Sequence, residues 1–362
     1  LPSLLATGLL WLSVAFSGKL WAGGSGLNVV VVANQASSNS CELANYFCER
    51  RAVPPANQLR INWAGGNQSW TSDDFQSDLL TPLLGMLASR QLSNQIEYVV
   101  LSMDIPFQTV NLADGTINST TSALFYGLKS GATPGGGTNS YAASESVFNQ
   151  AQPTGSPGYS FLATMITGDS LAHAEQVVDQ GVASDGSFPW RPVVLAKSSD
   201  PVRNLRYSAF DNACFNVAIC GVSTILRTNT DALPGQGPFL GYETGLANYS
   251  LPAGAFVPGA IADDLTSYGG LIFGPNDQTS LLAMLDAGAA GSYGTVAEPG
   301  TDAQKFPDPQ VYFYQARGFS LAESYYQSLS IPSLGLIVGE PLAAPFEQPG
   351  AGRWQLTNTL FF

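Results

Sequence analysis

Residues Leu27–Asn34 read LNVVVVAN and Ile96–Met103 read IEYVVLSM. Both stretches have strand length and are β-branched and apolar almost throughout, without the alternation of a strand that keeps one face wet. Strands of this kind are covered on both faces, as in a parallel sheet flanked by helices. The residues between them fit that reading. SSNSCELANYFCERR supplies a helix, with Ser40 as its cap, Leu43, Ala44, Tyr46 and Phe47 as its apolar face, and Val53-Pro54-Pro55 as its stop. A second strand, Gln58–Trp63, follows and completes a βαβ unit with a right-handed crossover.

The same alternation continues. Asp73–Arg90 has leucines at helical spacing, Phe161–Ile166 is strand-like, Ser170–Val182 helical, and Pro192–Ala196 strand-like. A helix is expected over Val202–Ala213 and a β-rich segment over Val217–Leu226. Asp231–Pro252 is Gly/Pro-rich and reads as a loop over the site. Within Val257–Gly300, polar residues stand between glycines and apolar runs, a pattern suited to a site on an α/β scaffold. Ser320 and Glu323 form a capping box before Tyr325 and Tyr326, and Gly335–Val338 is a last strand. No sequence period recurs and no sharp linker divides the chain. One α/β domain with a mainly parallel sheet is therefore expected over residues 27–346, interrupted by a Gly/Ser/Thr/Pro-rich insertion at 131–158.

Leu4–Phe16 is apolar and too short to span a bilayer comfortably, and small residues follow at Ala22-Gly23-Gly24. Residues 1–24 thus read as part of a secretion signal, and residues 347–362 as a truncated C-terminal extension. With 14 Lys and Arg against 27 Asp and Glu, a net charge of −13 argues against a nucleic-acid partner. Four cysteines suit an exported chain without requiring a disulfide framework. Cys41 and Cys48, two helical turns apart, stand about 10 Å from each other and cannot bridge. Cys214 and Cys220 can pair if the chain turns between them.

Gly168-Asp169-Ser170-Leu171 spells a serine-esterase signature. That chemistry needs a histidine base from a separate loop, whereas His173 lies on the same helix as Ser170 and is the sole histidine of the chain. Helix capping by Ser170 explains the letters without chemistry. Cys220 follows a strand-like run and offers a thiol nucleophile with His173 as its base, but His173 sits inside an Ala/Val-rich helix. Oxygen chemistry remains. Asp104, Asp263, Asp264, Glu298 and Glu340 each stand beside a strand end or a Gly/Pro turn, with Ser267 close to the central pair. Carboxylates converging there can share a proton, and Asp263 with Asp264 can hold a hard cation such as Ca²⁺ or Mg²⁺. Turn formation and capping are the competing explanation for every one of them. No other cofactor is indicated.

The opening VVVVANQASSNSCELANYFCERRAVPPANQL, the middle GAIADDLTSYGG and GSYGTVAEPG, and the ending SLAESYYQS and LIVGEPLAAP together resemble an uncharacterised family of exported bacterial proteins. The family occurs in species that carry the exosortase protein-sorting system. Its members often read Gly-Asp-Pro where this chain has Gly339-Glu340-Pro341, and the Pro-Glu-Pro sorting tail is not visible here. The resemblance implies an exported, surface-associated α/β protein and leaves the reaction type open. Two functions follow as expectations. One is a hydrolase with caspase- or gingipain-like architecture and a carboxylate- or Cys-based site; the other is a non-catalytic module that binds an extracellular glycan or protein. Carboxylates gathered in a closed pocket favour the first, and dispersed carboxylates beside an aromatic-lined groove favour the second.

Overall fold

The computed structural model describes residues 24–129, 138–149, 152–153 and 156–348, with two short paired strands at Arg353–Trp354 and Leu360–Phe361. The expected signal segment and most of the C-terminal extension lie outside the described residues, as does part of the 131–158 insertion. Among the described residues no helix is long and apolar enough to cross a membrane.

One ten-stranded sheet organises the chain. In chain order its strands are β1 (Val29–Asn34), β2 (Gln58–Ile61), β3 (Tyr98–Leu101), β4 (Leu162–Met165) and β5 (Val193–Ala196). They continue as β6 (Ile225–Thr228), β7 (Phe239–Thr244), β8 (Phe256–Asp264), β9 (Gly291–Thr295) and β10 (Gly335–Gly339). The spatial order is β2-β1-β3-β4-β10-β9-β8-β7-β5-β6. All neighbours are parallel except β10 and β9, which pair antiparallel from Gly291 opposite Gly339 to Thr295 opposite Gly335. The apolar runs that predicted β1 and β3 are buried at every position, as strands covered on both faces must be.

That single antiparallel pairing divides the sheet into two halves pointing in opposite directions. Strands β1 to β4 are arranged 2-1-3-4, and β5 to β8 repeat this arrangement on the far side, with β9 added and β10 inserted beside β4. The repetition lies in topology alone, which is why no sequence period betrays it. The strands of the first half end at one edge of the sheet, and those of the second half end at the opposite edge.

Helices cover the sheet. Ser38–Arg50 packs against β1 and against Leu171–Val182; Val311–Ala316 packs against Leu321–Ser328 and Phe210–Cys220. Several expected boundaries shift. Ser37, rather than Ser40, caps the first helix; the Ser40 hydroxyl lies inside the turn and accepts the Asn34 N–H. Asp73–Arg90 contains a π-helical stretch, Phe75–Leu80, before its α-helical end. Val202–Ala213 begins as a 3-10 turn, and the α-helix then runs Phe210–Cys220, through residues expected to be β-rich. Gly221, in the left-handed region at φ 68°, ends it. Cys214 and Cys220 therefore share one helix, six residues or about 9 Å apart, too far for a bridge. All four thiols are free. The stretch expected to loop over the site contains the wholly buried strand β7. A Cβ at Gly241 would come within 2.4 Å of the Tyr312 ring, so the glycine that weakened the strand pattern is what lets the helix above it pack.

Candidate functional site

Because the halves run oppositely, the five carboxylates do not converge. Asp104 follows β3 and Glu340 follows β10, both at the first-half edge; Asp263 and Asp264 end β8 and Glu298 follows β9, at the other edge.

At the first-half edge, β1 has β2 on one side and β3 on the other, so the chain reverses its direction of travel across the sheet there. Such a switch point opens a crevice beyond the strand ends. Asn34, Ser37, Trp63, Gly66, Asn67 and Asp104 line an open cleft of about 470 Å³ at this place. Asn34, the last residue of β1, fixes the walls. Its amide donates to the Trp63 and Asp104 carbonyls, each at 2.9 Å, and its Oδ1 accepts the Trp63 N–H at 3.0 Å. Asp104 has a left-handed backbone at φ 59°, a conformation that Asp tolerates better than most residues. Its Oδ2 accepts the Ser37 hydroxyl at 2.6 Å. Trp63 is half-buried, meets Trp70 edge-on at 5.6 Å between ring centroids, and donates its indole N–H to the Gly66 carbonyl. Asp104 alone of these lining residues was singled out from the sequence. The available signal for the others was a polar or aromatic residue placed just where a buried strand ends.

At the opposite edge, clefts open beside Asp231 and beside Tyr268, but the carboxylates that end the strands are buried beneath the surface. Asp263 is fully buried and ion-paired with the Arg206 guanidinium, which also meets Glu243 Oε1 at 3.1 Å and donates to the Thr244 carbonyl at 2.9 Å. Burial works against the Arg206 charge, but Asp263 and Glu243 outweigh it and hold the guanidinium above its ordinary range. Burial raises both carboxyls while Arg206 pulls them down; Glu243 ends well above the carboxylate range. One guanidinium faces two carboxyls here, and burial lifts both of them above their ordinary range. Asp264 accepts the Leu246 N–H at 2.8 Å, and burial pushes it up to about 7. Arg206 thus supplies next to Asp263 the positive charge that a bound cation would bring. Ser267 contributes its carbonyl to the Thr295 hydroxyl at 2.9 Å. Glu298 accepts the Gly300 N–H at 3.0 Å, within its own turn. Arg206 and Glu243 were not singled out, since a charged residue in a sequence reads as a surface residue until its burial is known.

The remaining candidates have structural partners. Glu340 is fully buried against Arg51, whose Nε donates to it at 3.0 Å and whose other nitrogens reach Asp185. A Cβ at Gly181 would lie 2.4 Å from that of Glu340, so this close approach needs the glycine. Cys220 ends a helix, and burial pushes its thiol up, away from the thiolate that nucleophilic chemistry requires. Ser170 caps the helix Leu171–Val182 by accepting the His173 N–H at 3.2 Å. His173 is exposed, and its Nδ1 lies 3.1 Å from Asp286 Oδ1. Tyr325 and Tyr326 are packing residues, buried completely; the Tyr326 hydroxyl donates to the Ala163 carbonyl at 2.8 Å.

No family model matches the chain, and no curated protein matches it. A solved structure titled "Structure of Protease" aligns with 93% of this chain and 82% of its own, with 9% identity and a TM-score of 0.44. A likeness of that size leaves the function open.

Proposed function

We propose that this protein is a non-catalytic binding module of the cell exterior, holding a neutral, hydroxyl-rich ligand such as a glycan in the cleft beyond β1, β2 and β3. The exterior location rests on the apolar segment Leu4–Phe16 and on the family resemblance. The reading of the cleft rests on one observation: Trp63, Asn67, Ser37 and Asp104 meet in an open crevice at a strand-order switch point. An aromatic ring offers a flat apolar surface to a sugar face, while a carboxylate and amides accept and donate hydrogen bonds to its hydroxyls. Asp104, the charged group of this lining, together with a net charge of −13 disfavours an anionic ligand.

The hydrolase alternative has less support. Its nucleophile candidates, Ser170 and Cys220, sit at helix ends, and its carboxylates are divided between two edges.

The test is an array of neutral oligosaccharides, including cello- and chito-oligosaccharides, probed with the purified chain. Binding that Trp63→Ala abolishes is the expected result. Turnover of any array member, or no binding to the whole array, contradicts the proposal.

A further inference from the structure

A second cluster occupies the first-half edge, beyond the end of β4. Asp169 follows that strand and stands one residue before Ser170, which caps the helix Leu171–Val182; His173 lies in the first turn of the helix. Asp286 comes from elsewhere in the chain, at the end of the helix Leu282–Asp286 that leads into β9. The reversed pairing of β10 with β9 makes the meeting possible. Met165 in β4 is level with Val338, and Gly339 is level with Gly291, so the start of β9 lies at the edge where β4 ends. The helices that carry His173 and Asp286 pack against each other. One ligand atom from each of Asp169, His173 and Asp286 falls within a mutual distance of 4.8 Å, and all three residues are exposed.

We propose that Asp169, His173 and Asp286 form a binding site for a first-row divalent transition metal of the Zn²⁺ type. The donor set carries the inference. One imidazole and two carboxylates suit Zn²⁺, Mn²⁺ or Co²⁺, whereas Ca²⁺ and Mg²⁺ take oxygen ligands. Ligand atoms about 2.1 Å from a tetrahedral ion sit about 3.4 Å apart, so exposed side chains close the gap by small rotations. The 3.1 Å contact of His173 with Asp286 shows that two of the three already reach each other. Two carboxylates and a neutral imidazole also balance the charge of a dication, and three protein ligands leave positions open for water or an exogenous ligand. The cluster involves neither Asp263 nor Asp264, which stand at the other edge.

Titration calorimetry of Co²⁺ into the intact chain tests the site, paired with the visible spectrum of the complex. The expected result is one ion per chain, with d–d bands and no thiolate charge-transfer band. Affinity should fall at least tenfold in each of His173→Ala, Asp169→Asn and Asp286→Asn. Circular dichroism of these surface variants establishes that they fold. The proposal is overturned if the wild type takes up no Co²⁺, if the three variants bind like wild type, or if a thiolate band assigns the ion to cysteine.

Discussion

The two halves of the sheet share one strand arrangement and put it to different use. At the switch point of the first half, Asn34 ties the chain to Trp63 and Asp104 and holds the walls of a cleft apart. At the matching place in the second half, beyond β5 and β6, Lys197, Ser199, Asn229 and Asp231 line a cleft of about 410 Å³ that holds no aromatic ring. Asp231 accepts the Ser199 N–H and hydroxyl at 2.6 and 2.7 Å, and Ser198 donates to the Gly245 carbonyl. Deeper in that half, Arg206 is buried between Asp263 and Glu243 and serves as their counter-charge. The same topology therefore opens a cleft in each half, and the side chains that line it, Trp63 and Asp104 in one and Lys197 and Asp231 in the other, decide what each can hold.

The comparison breaks most visibly at Arg206. Arg206→Leu leaves Glu243 and Asp263 buried without their counter-charge, and an unfolding free energy lower by about 3–5 kcal/mol is expected from denaturant titration. A loss below about 1 kcal/mol would mean that this edge is wetter than described. A smaller, pH-dependent effect belongs to Asp264. Its carboxyl sits at about 7 in the folded protein and near 3.9 when unfolded, so the folded state binds the proton more tightly. The stability from that proton is complete below about pH 4 and is lost as pH rises through about 7. Relative to Asp264→Asn, the wild type should lose on the order of a few kcal/mol between pH 4 and pH 8. Parallel pH profiles for the two proteins would rule out this role. At the bottom of the scale, Glu298→Gln changes only a turn contact, and a shift within about 0.5 kcal/mol is expected in the same titration.

Much of the fold was legible from residue patterns. The valines of β1, the Ser320–Glu323 capping box and the Ser170 cap all appear where local chemistry puts them. Strand direction was not legible. Periodicity identifies Gly335–Val338 as a strand, yet its direction depends on which neighbour it joins, and β10 joins β4 parallel and β9 antiparallel. That one choice separates Asp104 from Asp263 and, by the same geometry, brings Asp169 and His173 to Asp286. Strand β7 was hidden for another reason: FLGYET lies in a Gly/Pro-rich stretch, and it is buried because helix residue Tyr312 fits over Gly241. Partners distant in sequence also hid the Arg51–Glu340 pair, where a turn carboxylate proves to be a buried ion-pair member.

The central claim is that ligand binding belongs to the first-half edge. Calorimetric titration of the neutral oligosaccharide that binds the wild type most tightly, repeated on Trp63→Ala, Asp104→Asn and Glu298→Gln, tests it directly. The account predicts a loss of about tenfold or more, some 1.4 kcal/mol, for each of the first two and wild-type affinity for the third. Wild-type affinity in Trp63→Ala and Asp104→Asn, with weakened binding in Glu298→Gln, would contradict it.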